Sequence, residues 1–347
     1  DTMAISLLRR SRRLLLTSIW ATAVLSVSSP PAAAQRGRIV IKMASLAPAT
    51  SPWHDALMVM SQRWREASDG RVDLQIIPSA QGGEEDDVLR KMKIGQFQAG
   101  TFSLAGLQFL TPAVSVLAIP RLAHDQDDLH RIRTAVGPEL EEVFLEEGYV
   151  LLHWADLGWM RFFTPGDDPS PEVVTGYTYV QWGDSSMDEL WSAAGFASGV
   201  TLNMADILVG LRNGLVEAIN TAPLVVGGYQ WFSELPYIID IRWAPLSGAT
   251  LIDRRAWDRI PADLRPVLKE IAEEIGAEVR ASLQEWEGDV LKAMQERGGV
   301  QIITPPPEIM EEWERIFEDA RNMLRGSVVP EAWYDEAVRA GQAGRGG

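Results

Sequence analysis

The sequence predicts an α/β protein of two domains, and three observations carry that prediction. The chain has 347 residues, too many for one ordinary core and suited to two domains of roughly 150 residues each. With 46% hydrophobic and 23% charged residues its composition is globular rather than disordered. Beyond a basic leader, apolar segments alternate strand, helix, strand, helix, strand, which predicts a mostly parallel sheet with helices on its faces.

Residues 1–34 contain the three parts of a secretory signal peptide. Arg9, Arg10, Arg12 and Arg13 precede an apolar run over 14–27, and Pro30-Pro31 and Ala32-Ala33-Ala34 follow. The run is shorter than the about 20 residues a helix needs to cross a bilayer. Cleavage near Ala34 removes four Arg and one Asp, leaving 28 basic against 47 acidic residues, so the net charge moves from −16 to −19. Periplasmic localisation is expected, with Sec and twin-arginine export both compatible with the leader.

The elements then follow in order. Residues 38–45 read as a buried strand, and Ser51 with Pro52 makes an N-cap and first-turn pair for a helix over 53–67. Residues 72–77 form a second strand, 84–93 a helix with an acidic start and basic end, and 98–102 a third strand. A second set follows. Strands are expected over 150–155, 160–164 and 177–182, a helix over 186–194, a short strand over 200–202, a helix over 204–212, a strand over 216–220, a helix over 223–231 and a strand over 246–252. From Leu264 to Met294 apolar residues recur at a 3–4 spacing without a breaker. That predicts one helix far beyond the mean of about 11–12 residues, forming a coiled coil or lying across more than one domain. A strand-like 300–303 and a last amphipathic helix over 309–324 complete the pattern. The expected division is 35–150 with 245–260 as domain I, 151–244 as domain II, 261–327 as the spanning and C-terminal helices, and 328–347 as a flexible tail.

Several chemistries are excluded or unsupported. There is no cysteine, hence no disulfide, thiolate metal site or cysteine nucleophile. The acidity argues against a nucleic-acid partner, which would draw on clustered Lys and Arg. No phosphate-binding glycine loop, nucleophile elbow or dinucleotide fingerprint is present. His54, His124, His130 and His153 form no H-x-x-x-H pair, so neither metal nor cofactor is expected. Glu84-Glu85-Asp86-Asp87 reads as a solvated helix start, with Glu85 alone placed to look into a cleft. The thirteen tryptophans are more informative. Trp64, Trp191, Trp257, Trp286, Trp313 and Trp333 lie in helical patterns and read as packing. Trp53, Trp154, Trp159, Trp182, Trp231 and Trp243 sit at strand ends, turns and helix starts, the positions that border the crevice in open α/β sheets.

The order of several segments resembles a known family. They are A-P-A-T-S-P-W-H over 47–54, P-S-A-Q-G-G-E over 78–84, G-W-M-R-F-F-T over 158–164, D-I-L-V-G-L-R-N-G over 206–214 and A-W-D-R-I-P over 256–261, with the long helix after them. Together, from about 39 to about 324, they resemble the extracytoplasmic solute receptors of TRAP (tripartite ATP-independent periplasmic) transporters, the DctP-like family. The resemblance implies a periplasmic-binding-protein type II-like fold, in which two domains close on a hinge over one solute and a long helix spans both. It also implies delivery of the solute to membrane permease subunits, and no catalysis.

The departures from that family shape the expected solute. Its typical members hold a solute carboxylate with an arginine in a G-L-K-I-R-V-P stretch. The matching position here is Val180, followed by Gln181-Trp182-Gly183-Asp184, and the usual Q-E-N-P is replaced by Asn220-Thr221-Ala222-Pro223. With Ala222-Pro223-Leu224 and Gln230-Trp231-Phe232, this resembles a branch that includes receptors encoded with a tetratricopeptide-repeat partner and associated with apolar solutes. A buried carboxylate without its partner costs ~3–5 kcal/mol, whereas an indole wall rewards apolar area at ~25 cal/mol per Å². An apolar or amphipathic solute with at most one acidic end is therefore expected. Trp53, Trp159, Trp182 and Trp231 would wall it, and Gln181, Asp184 and Asn220 would hydrogen-bond it. Arg161, at a matching family position, would anchor a carboxylate or else serve as a structural bridge. Two other readings stand beside this one. The first is a conventional organic-acid receptor relying on Arg161. The second is a secreted carbohydrate-active hydrolase, which needs a carboxylate pair about 5–9 Å apart that the sequence does not single out.

Overall fold

The computed structural model describes residues 37–78, 81–182, 195–197 and 199–343. The leader expected over 1–34 and the helix expected over 186–194 lie outside the described residues. β1 (Ile39–Ala44), β2 (Val72–Ile77) and β3 (Ala99–Ser103) form where the apolar runs predict, with α1 (Pro52–Ala67) and α2 (Glu85–Lys93) between them. Ser51 caps α1, its hydroxyl accepting from the His54 N–H at 3.3 Å. Glu85, Asp86 and Asp87 open α2 and Arg90, Lys91 and Lys93 close it, which suits the helix dipole at both ends. β1 lies parallel between β2 and β3, with Ile39 opposite Val72 and Met43 opposite Ala99.

Past β3 the sheet is mixed rather than mostly parallel. The strands expected over 150–155 and 160–164 are one strand, β4 (Tyr149–Thr164), of 16 residues. After the short β5 (Ile219–Thr221), the strand expected over 246–252 is the far end of β6 (Tyr237–Asp253), of 17 residues. β4 and β6 pair antiparallel, from Tyr149 opposite Asp253 to Thr164 opposite Tyr237. At about 3.3 Å per residue each extends roughly 50 Å, enough to serve two halves of a molecule. One end of β6 pairs antiparallel with β3, and the other pairs parallel with β7 (Gln301–Ile303), while β5 lies antiparallel on β4. The order is β2-β1-β3-β6-β4-β5, with β7 against β6. Residues 177–182 and 200–202, read as strands, make only isolated bridges, Tyr179 with Ala218 and Val180 with Val200.

Two helices cross between the halves. After α3 (Leu104–Leu107), α4 (Gln126–Glu146), α5 (Pro171–Gly176), α6 (Ile207–Asn213), α7 (Pro223–Tyr229) and α8 (Arg254–Arg259) comes α9 (Arg265–Gly298), the predicted long helix, with 34 residues. Its Leu268, Ile271 and Ile275 join a core with Ile41, Trp64 and Leu74 on one half, and its Met294 joins Phe163, Val226 and Trp231 on the other. α10 (Pro307–Leu324) does the same, with Trp313 against Phe162 and Leu324 against Leu140 and Phe144 in separate cores. Gly276 lets α9 approach β4, because a Cβ there would lie 2.9 Å from His153 Nδ1 and 3.1 Å from the Trp154 carbonyl.

Besides the short α3, α5 and α8, the longer α4 and α11 were not among the expected helices. α4 runs 21 residues although Gly137 and Pro138, both helix breakers, stand inside it. Its buried Leu129, Ile132, Val136, Leu140 and Phe144 supply the packing that overrides local propensity. The flexible tail expected over 328–347 is instead helical at α11 (Glu331–Gln342), whose Tyr334 and Ala337 are buried in the same core as α4. Small residues in a tail read as flexible until a neighbouring helix offers them a surface.

An ion triad around a buried arginine ties β4, β6 and α9 together. Between Met160 and Phe162 the partner positions jump from Ala244 to Ile239, so Asp240 to Trp243 lie out of register. Arg161, only 1% exposed, fills this irregularity. Its Nε donates to Asp240 Oδ1 at 2.5 Å and its Nη2 to Glu287 Oε1 at 2.7 Å. Gly158, at φ +105°, makes room for the triad, because a Cβ there would sit 2.8 Å from Glu287 Oε2.

Two stability predictions follow from these contacts. Arg161→Met strands two carboxylates and should lower unfolding free energy by about 3–5 kcal/mol in urea titrations, and adding Glu287→Gln should recover part of that loss. For Asp73, burial opposes ionisation but hydrogen bonds from Arg38, Gln75 and Arg65 prevail, taking its carboxyl from 3.8 to about 2. The folded state thus holds its proton less tightly than the unfolded chain. This contribution, at most about 2 kcal/mol, is present above pH ~4 and lost as pH falls toward ~2. Asp73→Asn should flatten that acid limb in denaturation curves recorded across pH.

Candidate functional site

A cavity of about 540 Å³ opens between the two halves, a size typical of small-molecule sites. The ends of β1 and β3 and the starts of α1 and α2 form one side, with Leu46, Trp53, Glu85 and Phe102 in the wall. The other side comes from Met160 on β4, Gln181, Trp182, Met204, Asn220 on β5, and Tyr229. α9 contributes Ile275, Gly276 and Val279. Most of these groups are apolar, because each element turns inward the end of a face that was already hydrophobic.

The predicted residues divide into wall and support. Trp53, Gln181, Trp182 and Asn220 line the cavity, and so does Trp243. The Trp182 indole N–H donates to the Asn220 carbonyl at 3.0 Å, which fixes the ring against the β5 edge. Trp231 stands behind the wall. It is 1% exposed and stacks on Trp182 at 6.4 Å and on Tyr229 at 5.0 Å. Trp159 is packed in the core with Leu151 and Phe144, and Trp154 packs against that same core; neither is a lining residue. Arg161 is not a lining residue either, its guanidinium being engaged with Asp240 and Glu287. Asp184 lies outside the described residues.

Two hydrogen bonds close the mouth from one half to the other. The Tyr229 hydroxyl donates to the Leu46 carbonyl at 2.6 Å, and Glu84 Oε1 accepts from the Met204 N–H at 3.1 Å. Burial pushes the Glu84 carboxyl up, which the Met204 N–H partly offsets. Glu85 faces the cavity as the sequence indicated, while Glu84 and Asp86, read as part of a solvated helix start, also line it. The Glu85 carboxylate accepts from Ser103 N at 2.5 Å and Ser103 Oγ at 2.9 Å. Burial nevertheless holds its carboxyl up to about 7, with the nearby Glu84 and Asp86 charges adding to the effect.

The charge balance of the wall is one-sided. No Lys or Arg stands among the described residues that line it. The internal segments outside the described residues, 79–80, 183–194 and 198, contain none either. His153 lines the cavity, but burial pushes its pKa down and keeps it neutral at physiological pH. Sequence reasoning passed over Phe102, Phe109, Met160, Met204 and Tyr229 as wall residues, although Met160 lies within the G-W-M-R-F-F-T segment and Tyr229 stands next to Gln230-Trp231.

Comparison with known proteins agrees with this architecture. The profile of the family described as bacterial extracellular solute-binding protein, family 7 (DctP), matches residues 43–323. A C4-dicarboxylate-binding periplasmic protein DctP of Vibrio cholerae is 24% identical over 298 residues, covering 84% of this chain and 89% of its own. The protein of the same name from Rhodobacter capsulatus is 21% identical, over 92% and 96% of the two chains. Among solved structures, a TRAP periplasmic solute-binding protein of Shewanella oneidensis with bound succinate superposes with a TM-score of 0.82 at 17% identity, over 88% of this chain and 99% of that one. One from Pseudomonas putida F1 with bound D-glucuronate gives 0.78 at 21% identity, over 88% and 97%. The chain belongs to the DctP family of bacterial extracellular solute-binding proteins, a family of solute receptors rather than enzymes.

Proposed function

We propose that this receptor binds an apolar or amphipathic organic solute in its indole-lined cleft and hands it to the permease subunits of a TRAP transporter. The observation that carries this reading is a wall with Trp53, Trp182, Trp243 and Tyr229 in it and no Lys or Arg among its described residues. A solute that buries about 200 Å² of apolar surface there gains on the order of 5 kcal/mol. A carboxylate gains no cation and meets Glu84, Glu85 and Asp86 instead.

The competing reading is a conventional organic-acid receptor, in line with the succinate and D-glucuronate bound by the structural relatives. It requires Arg161 to leave Asp240 and Glu287 and turn toward the cleft, which would strand two carboxylates. Closure around the solute would make the bonds Tyr229–Leu46 and Glu84–Met204, and release would break them. The basic leader fits export and cleavage near Ala34.

Native mass spectrometry of the purified receptor should reveal a co-purifying solute with an apolar body. Trp182→Ala should weaken its binding about tenfold or more, read by tryptophan fluorescence titration. An unchanged affinity would remove Trp182 from the site, and a small dicarboxylate as the co-purified species would favour the Arg161 reading.

A further inference from the structure

Four buried or half-buried side chains of the cavity wall present acceptor atoms. Glu85 supplies a carboxylate held in place by Ser103 N and Oγ. Gln108, 7% exposed, donates its Nε2 to Ser115 Oγ at 3.1 Å and leaves its Oε1 without a partner. Asn220, 4% exposed and on the opposite side of the cleft, has an Oδ1 without a partner. His153 has its Nδ1 3.0 Å from the Trp154 carbonyl. The tautomer that donates there makes Nε2 an acceptor, and that atom too lacks a partner. On the donor side, the Trp182 N–H is already engaged with the Asn220 carbonyl, while the Trp53 N–H is free. The Thr250 hydroxyl, also without a partner, can act either way.

Buried acceptors without donors are costly, and a ligand that brings the donors removes the cost. Resting on the reading of this cavity as the solute site, we propose that the solute's polar end is a hydrogen-bond donor, an ammonium group on an apolar body, and that Glu85 selects it. The chemistry of these groups favours the ammonium over the two alternatives. Its three N–H bonds suit a wall that offers a carboxylate and amide oxygens, and a charged donor on a charged acceptor makes the stronger bond. A hydroxyl provides one donor and no charge. A carboxylate would place acceptor against acceptor, beside Glu84, Glu85 and Asp86. The buried Glu85 carboxyl also becomes easier to ionise beside a cation, so solute charge and Glu85 charge stabilise each other.

The test uses three probes with one hydrocarbon body, hexylamine, 1-hexanol and hexanoate, titrated by calorimetry at pH 8 into full-length receptor freed of co-purified solute. Hexylamine is expected to bind about tenfold or more tighter than hexanoate, with hexanol between them. Glu85→Gln should weaken hexylamine about tenfold while moving hexanol by less than roughly threefold. Hexanoate binding as tightly as hexylamine overturns the donor assignment and leaves the apolar-cleft reading standing. Hexylamine binding unchanged by Glu85→Gln removes Glu85 as the selecting group. Binding by none of the three overturns the apolar-cleft reading and this inference with it. The wild-type order needs no variant, so it decides the ligand class even if Glu85→Gln fails to fold.

Discussion

One buried guanidinium organises the centre of this receptor. Arg161 sits where β4 and β6 fall out of register and bonds Asp240 on one strand and Glu287 on the long helix. A buried guanidinium is tolerable only when it is paired, and the planar fork of arginine can serve two partly exposed carboxylates at once. The triad therefore sets how α9 crosses the paired strands, at the place where Gly158 leaves space for Glu287. It also engages the guanidinium that the organic-acid reading would need at the cleft. A structural requirement at the centre of the sheet thus decides part of the chemistry of the cleft beside it.

The rest of the architecture keeps that cleft between two cores. β4 and β6 are continuous through both halves, and α9 and α10 bury residues in cores on each side. Covalent continuity at the centre combines with the Tyr229–Leu46 and Glu84–Met204 hydrogen bonds across the mouth. Such a frame can open at its mouth while its strands stay paired. The aromatic stack Trp182–Trp231–Tyr229 lies on one side, and its last member bonds the Leu46 carbonyl on the other. The ring that packs the wall is thereby connected to the contact that closes it.

Legibility of the site depended on the kind of signal. Trp53, Gln181, Trp182 and Asn220 were readable because they stand at a helix start, a segment end and a sheet edge, positions that border a crevice whatever the details of packing. Trp159 and Arg161, expected at the wall, do not line the cavity, and for a specific reason. Alternation along a strand shows that residues 159 and 161 share a face and that Met160 takes the other, but not which face meets the cavity. The structure gives the cavity Met160 and sends its neighbours to the core and the ion triad. Glu84 and Asp86 were read as solvated because a helix start favours acids anywhere; only the approach of Met204 makes this start a cavity rim.

By itself the sequence determined the α/β class, the alternating first half, the 34-residue helix and the absence of thiol chemistry, since each rests on local periodicity or residue count. Tertiary structure alone decided that the runs over 150–155 and 160–164 are one long strand, that 246–252 is the end of another, that Gly137-Pro138 lies inside a helix, and that the tail folds onto it. It alone decided, too, that the one arginine expected at the solute is internally neutralised. These outcomes depend on partners far away in the chain, and hydrogen bonding, burial and charge pairing between such partners leave no local periodicity to read.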